Sequence, residues 1–150
     1  MEGGDSYLLK LGSCLSPDTL ILMADGTSKQ LKDVVAGDVV RGPLGDDLVV
    51  EASSGVGDRM DVWKFDDGSE VKTIGRHRFY NVELGEPMYL EAWNIGEHAL
   101  KPDGSKAALV SHERLDGEFK HCTLFTEKHN LYYANSMLAG NRRSDGYEGL

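Results

Sequence analysis

Short apolar runs broken by polar turns recur along this chain at intervals too short for helices. Thr19-Leu-Ile-Leu-Met23, Asp38-Val-Val-Arg41, Leu48-Val-Val-Glu51, Met60-Asp-Val-Trp-Lys-Phe65 and Glu70-Val-Lys-Thr-Ile74 are each rich in β-branched or aromatic residues and bounded by turn signals. Such side chains fit a pleated, half-buried surface, so each run predicts a strand. Asp25-Gly26, Gly45-Asp46, Asp67-Gly68, Asp103-Gly104 and Asp116-Gly117 predict turns, several closing hairpins through a glycine with positive φ. Only Leu31 to Val35 and Leu90 to Asn94 predict helical turns, both short. The expected class is all-β.

The two helical segments resemble each other. Leu31-Lys-Asp-Val-Val-Ala-Gly-Asp-Val-Val and Leu90-Glu-Ala-Trp-Asn-Ile-Gly-Glu-His-Ala share a leucine, a glycine six residues on, and then an acid. That points to an internal duplication, and two copies imply two lobes packed about a pseudo-two-fold axis rather than a solenoid.

Composition narrows the function classes. At 150 residues and 40% hydrophobic the chain suffices for one domain with its own core. A formal charge of -9 and a pI near 4.9 oppose binding to nucleic acid or to an anionic membrane. No apolar run approaches the roughly 18 residues of a membrane span. Met1-Glu-Gly-Gly-Asp-Ser lacks the basic and apolar regions of a secretory signal, so a soluble, cytoplasmic monomer is expected. Two cysteines without a secretory context are expected to be free thiols.

The chemistry lies near the two ends. Cys14, in Leu11-Gly-Ser-Cys-Leu-Ser-Pro-Asp-Thr-Leu20, is a nucleophile able to attack the carbonyl before it. Asn141 closes His129-Asn-Leu-Tyr-Tyr-Ala-Asn-Ser-Met-Leu-Ala-Gly-Asn141 and has a side-chain amide able to attack its own backbone carbonyl. These blocks, with Leu31-Lys-Asp-Val-Val-Ala-Gly-Asp-Val-Val-Arg41 and Lys72-Thr-Ile-Gly-Arg-His-Arg-Phe-Tyr-Asn81, resemble in order the motifs of the Hint superfamily: inteins, Hedgehog-type autoprocessing domains and bacterial intein-like domains. The resemblance runs from Cys14 to Asn141. It implies a horseshoe of curved antiparallel strands with both chain ends in one cleft. It also divides the chain into an N-terminal flank (1–13), an autoprocessing domain (14–141) of minimal size without an endonuclease insertion, and a C-terminal flank (142–150).

The resemblance also implies roles. Cys14 would convert the Ser13-Cys14 amide to a thioester, with His77 as acid and base and Thr73 polarising the same peptide. Asn141 would form a succinimide and release Arg142, assisted by His129. Three positions depart from the family pattern: Thr73 stands four residues before His77 instead of three, Gly140 replaces the frequent penultimate histidine, and Arg142 is not the Cys, Ser or Thr that splicing requires. Cleavage at either edge is therefore expected over ligation, with water or an external thiol or amine accepting the thioester. The reaction is single-turnover, its partners are the chain's own flanks, and no cofactor or metal is required.

Plainer readings stand beside these. A lone cysteine before a strand is usually a small buried hydrophobe. Cys122 reads equally as core filler or as an aid to coupling the two steps, and His121 as a surface residue. Tyr132, Tyr133 and Trp93 read as core, and His98 and His112 as structural. A zinc site assembled from Cys14, Cys122 and His129 would inhibit, and no close pair of ligands supports one. The displaced Thr73, Gly140 and Arg142 also fit a Hint module that has lost activity and serves as a structural or interaction domain. A cysteine peptidase acting on other chains is less favoured, because no second histidine-acid pair for Cys14 can be identified.

Overall fold

The computed structural model describes residues 14–140. Asn141 and both flanks, including Ser13 and Arg142, lie outside the described residues.

Among the described residues, eleven strands follow in the order β1 (Leu20–Leu22), β2 (Ser28–Gln30), β3 (Val39–Gly42), β4 (Gly45–Phe65), β5 (Glu70–Ile74), β6 (Arg78–Asn81), β7 (Glu86–Tyr89), β8 (His98–Leu100), β9 (Lys106–Thr126), β10 (Leu131–Ala134) and β11 (Met137–Gly140). All pairings are antiparallel, in an open sheet ordered β2-β1-β10-β11-β6-β8-β9-β4-β3, with β5 on β4 and β7 on β6. The chain is all-β, as its hydrophobic pattern predicts.

Three expectations need correcting. Leu48 to Glu51 and Met60 to Phe65 are not separate strands but parts of one 21-residue strand, β4, which pairs along most of its length with the equally long β9. The middle of β4 alternates between half-buried and exposed positions, but its half-buried residues, among them Ser53, Gly55 and Gly57, are small or polar, so the sequence shows no apolar alternation there. Asp116-Gly117 is not a hairpin turn but part of β9. There the register jumps, with Gly57 opposite Phe119 and Arg59 opposite Asp116, a bulge that bends the ribbon. The helical turns are also shorter than expected, single 3-10 turns at Leu31–Asp33 and Leu90–Ala92.

The duplication is visible bond for bond. Val34 N donates to Leu31 O at 3.1 Å and Trp93 N to Leu90 O at 3.0 Å. Gly37 N donates to Val49 O at 2.9 Å, and its counterpart Gly96 N to Leu109 O at 2.8 Å. The acids repeat as well: Asp38 Oδ2 accepts from Val35 N at 3.0 Å and Glu97 Oε1 from Asn94 N at 2.8 Å. In this correspondence Leu31 N donates to Thr19 O and Leu90 N to His77 O, so His77 occupies in one half the place of Thr19 in the other.

The core gathers Leu15, Ile21, Leu31, Val40, Val49, Trp63, Phe65, Phe79, Leu90, Trp93, Leu124 and Tyr132, from both halves. No helix among the described residues is long and apolar enough to cross a membrane.

Candidate active site

Residues 14–16 are threaded between two strands. Leu15 forms isolated bridges to Thr73 of β5 on one side and Cys122 of β9 on the other. Leu15 N donates to Cys122 O and Cys122 N to Leu15 O, both at 2.9 Å, while Ser16 N donates to Lys72 O at 3.1 Å. Leu15 is fully buried, so apolar burial and strand hydrogen bonds together fix the segment that carries Cys14.

Cys14 is itself buried, at 1% exposure. Its carbonyl accepts from Ile74 N at 3.2 Å and its amide N donates to Arg76 O at 3.4 Å. That amide nitrogen belongs to the Ser13-Cys14 peptide. It is therefore held against the carbonyl immediately before His77.

Gly75-Arg76-His77 joins β5 to β6, and Gly75 takes a φ of +81°, a left-handed conformation open to glycine at little cost. The side chains then alternate. Arg76 and Arg78 both stack on Tyr89, each with its guanidinium carbon 4.3 Å from the ring centre, while His77 turns inward and is fully buried. His77 Nδ1 lies 2.9 Å from Arg78 O and Nε2 lies 3.2 Å from Tyr132 Oη. A carbonyl can only accept, so the network assigns the ring proton to Nδ1 and leaves Nε2 to accept from the tyrosine hydroxyl. Burial, together with the nearby Cys14, pushes the Tyr132 phenol far above its ordinary pKa and keeps it a neutral donor.

Thr73 is also buried, and its hydroxyl accepts from Trp63 Nε1 at 3.0 Å. Cys122 is buried and burial pushes its thiol pKa up, which keeps it protonated.

At the other end, β11 finishes at Gly140, which pairs with Leu131 of β10 and with Arg78 of β6. His129 lies two residues before Leu131, in a turn built around Asp47. The Asp47 carboxylate accepts from His129 N at 2.7 Å, Lys128 N at 3.0 Å and Thr126 Oγ1 at 2.8 Å. Burial would raise the Asp47 pKa, but these three hydrogen bonds outweigh it and hold the pKa below the ordinary carboxylate value. Asn130, with φ of +54°, closes the turn by accepting from Thr126 N through Oδ1 and donating its own N–H to Thr126 Oγ1, both at 2.7 Å.

The structure thus joins Cys14 and His77 around one three-residue connector and pairs the end of β11 with Arg78, the β6 residue that directly follows it. His129 is held close to the partner strand of Gly140, whereas Asn141 lies outside the described residues. Tyr132, Asp47 and Trp63 belong to the site without any signal in the sequence beyond being a buried aromatic or a hairpin acid. His121 is a correction: it is 6% exposed, not a surface residue, because its ring lies over the side-chain-free Gly55. His98 and His112 bond Glu83 and Asp61. No group of three or more His, Cys, Asp or Glu suited to a metal occurs among the described residues.

No protein-family model matches the sequence, and no curated protein matches it. Solved structures do. A variant of the gp41-1 intein superposes with a TM-score of 0.76 at 19% identity, over 86% of this chain and 99% of that one. The bacterial intein-like domain from Clostridium thermocellum gives 0.77 at 18% identity, over 85% and 98%. A DnaB intein from Synechocystis sp. PCC 6803 gives 0.76 at 20% identity, over 87% and 99%. The fold is therefore the Hint fold. More particularly, it takes the form seen in mini-inteins and in a bacterial intein-like domain, whose lengths this chain spans almost completely.

Proposed function

We propose that this is a self-processing domain acting on its own flanking segments, with Cys14 opening the Ser13-Cys14 peptide and Asn141 opening the Asn141-Arg142 peptide. The observation that carries the reading is the short segment Arg76-His77-Arg78: Cys14 N is bonded to Arg76 O, Gly140 is paired with Arg78, and His77 stands between them.

In the first step the Cys14 sulfur attacks the Ser13 carbonyl carbon. A C–S bond forms, the C–N bond breaks, and the Cys14 nitrogen leaves as an amine. An amide is a poor electrophile, so placement must do most of the work, and aligned intramolecular groups supply about 7–11 kcal/mol of the barrier. The two backbone bonds on Cys14 provide that placement. His77, once protonated, gives a proton to the departing nitrogen and returns to the neutral form with the proton on Nδ1. Thr73 pairs directly with Leu15 and so projects from the face opposite Cys14, where its hydroxyl accepts from Trp63, which leaves the polarising role expected of it without support.

In the second step the Asn141 side-chain nitrogen attacks its own carbonyl carbon. This closes a succinimide and frees the Arg142 amine, with His129 managing the proton. Arg142 offers no hydroxyl or thiol to receive the acyl group, so the thioester passes to water or to an external thiol or amine, and cleavage predominates over splicing.

Tracer domains fused to both flanks, followed by mass spectrometry of the products, test the reading. Thiol-induced release of the N-terminal tracer should depend on Cys14, and release of the C-terminal tracer on Asn141. A fusion that stays full length with and without reductant would instead identify an inert module. Cleavage of an added peptide with the flanks left intact would identify a peptidase.

A further inference from the structure

The environment of His121 is unexplained by the chemistry above. The residue is 6% exposed, and neither Nδ1 nor Nε2 of its buried imidazole has a hydrogen-bond partner. Buried polar atoms without partners are uncommon and destabilising, so one that persists calls for a reason. Space has been left for the ring: a Cβ at Gly55 would stand 2.7 Å from His121 Cε1 and 2.9 Å from Nε2, and one at Gly57 would stand 2.5 Å from Ile74 Cγ2 and 3.8 Å from His121 Cδ2.

The register shows which face the ring is on. Leu15 and Cys122 are directly paired, so their side chains share one face and the residues on either side project from the other. Cys14 and His121 are therefore diagonal neighbours on a common face, a relation that places residues about 7–8 Å apart, within reach of an aromatic or long side chain. The β5 side agrees. Leu15 also pairs with Thr73, which puts Ile74 on the face of Cys14, and Ile74 and His121 are the two side chains nearest the position of a Cβ at Gly57.

On the reading that Cys14 is the nucleophile, we propose that His121 is the base that accepts its thiol proton. His77 is poorly disposed for that task, since its Nδ1 is bonded to Arg78 O and its Nε2 to the Tyr132 hydroxyl. Burial lowers the pKa of His121 and keeps the imidazole neutral, with a lone pair to offer. The proton count balances. The S–H proton moves to His121 as the C–S bond forms, and one proton is delivered to the Cys14 nitrogen as the Ser13-Cys14 bond breaks, so no external reactant is consumed. The charged residues nearest this face line the cleft of about 630 Å³ above Gly57 and Ile74: Asp58, Arg59 and Glu118.

The test measures thiol-induced N-terminal cleavage and spontaneous C-terminal cleavage in the same doubly tagged fusion, for the unaltered chain and for His121→Gln, His121→Phe and His121→Gly. The expected result is a fall of about 100-fold or more in N-terminal cleavage in all three variants, the worth of a general base, with C-terminal cleavage unchanged. Added imidazole should restore His121→Gly and leave His121→Phe slow. N-terminal cleavage at the original rate in His121→Gln, an equal fall at both ends, or full activity in His121→Phe would each overturn the proposal while the assignment of Cys14 stands. If the unaltered chain forms no thioester at Cys14, the functional reading fails first and the role of His121 falls with it.

Discussion

Cys14 and Gly140 are anchored to opposite ends of one short segment, the first through its amide N on Arg76 O and the second through strand pairing with Arg78. The residue between them is His77. A change to the connector should therefore be felt at both ends of the domain, whereas changes further out should affect only one.

Tyr132→Phe removes the hydroxyl that donates to His77 Nε2 and leaves the ring packing in place. The expected loss of stability is about 1 kcal/mol, read as a lowered midpoint in urea unfolding. N-terminal cleavage should slow and its pH profile should shift, because the acceptor nitrogen of His77 loses its partner. An unchanged profile would show that Tyr132 is only core.

Asp47→Ala removes the carboxylate that holds the backbone of Lys128 and His129. C-terminal cleavage should fall while N-terminal cleavage is largely preserved, since the turn contacts neither Cys14 nor His77 in any described bond. The ratio of the two products, followed over time, measures the effect. A parallel fall in both would place Asp47 in general stability instead.

The acid limb of stability should depend on Asp67. Burial alone would raise its pKa, but bonds from Lys101 Nζ at 2.6 Å and from Ser69 outweigh it and bring the pKa from 3.8 to about 2. Because the folded value lies below the unfolded one, the stabilisation is complete above pH 3.8 and is lost as the pH falls toward 2. The pair is partly exposed, so solvent screening limits the contribution to about 1–2 kcal/mol. Asp67→Asn should flatten the fall in unfolding free energy over that interval, and an identical acid limb would contradict the assignment.

Gly140 stands where inteins often carry histidine, yet a Cβ there would lie 3.2 Å from Pro87 Cβ and 3.3 Å from Leu131 Cδ2. Gly140→His is thus expected to crowd Pro87 and lower the thermal midpoint without a gain in C-terminal cleavage. Gly140→His combined with Pro87→Gly, which removes both the Cβ and the Cγ that are crowded, should recover part of the stability. Faster cleavage in the single variant would show that the strand end has room to adjust.

How much of this was legible in the sequence depends on what each signal reports. Glu70–Ile74 was readable because its apolar positions face a buried core, and the observed strand has those bounds. The central stretches of β4 and β9 were not, since the half-buried positions of β4 there are small or polar and β9 is exposed on both faces, which leaves no apolar alternation to read, and Asp116-Gly117 carries the same residues whether it makes a turn or a bulge. The duplicated Leu-to-Gly-to-acid spacing was informative because each element serves a specific hydrogen bond. His121, beside Lys120, reads as surface; only the strand pairing that sets it over Gly55 reveals otherwise. The task of Tyr132 was hidden for a similar reason, as a buried phenol and a functional one have the same pattern.

Intact-mass analysis of a fusion with a domain on each flank tests the central claim most directly. Self-processing predicts a reductant-dependent cut between Ser13 and Cys14 that Cys14→Ala abolishes. It also predicts a cut after Asn141 whose upstream product is lighter by one water than a chain ending in free asparagine, and which Asn141→Ala abolishes. A chain that stays whole, or cuts that persist in both variants, would contradict it.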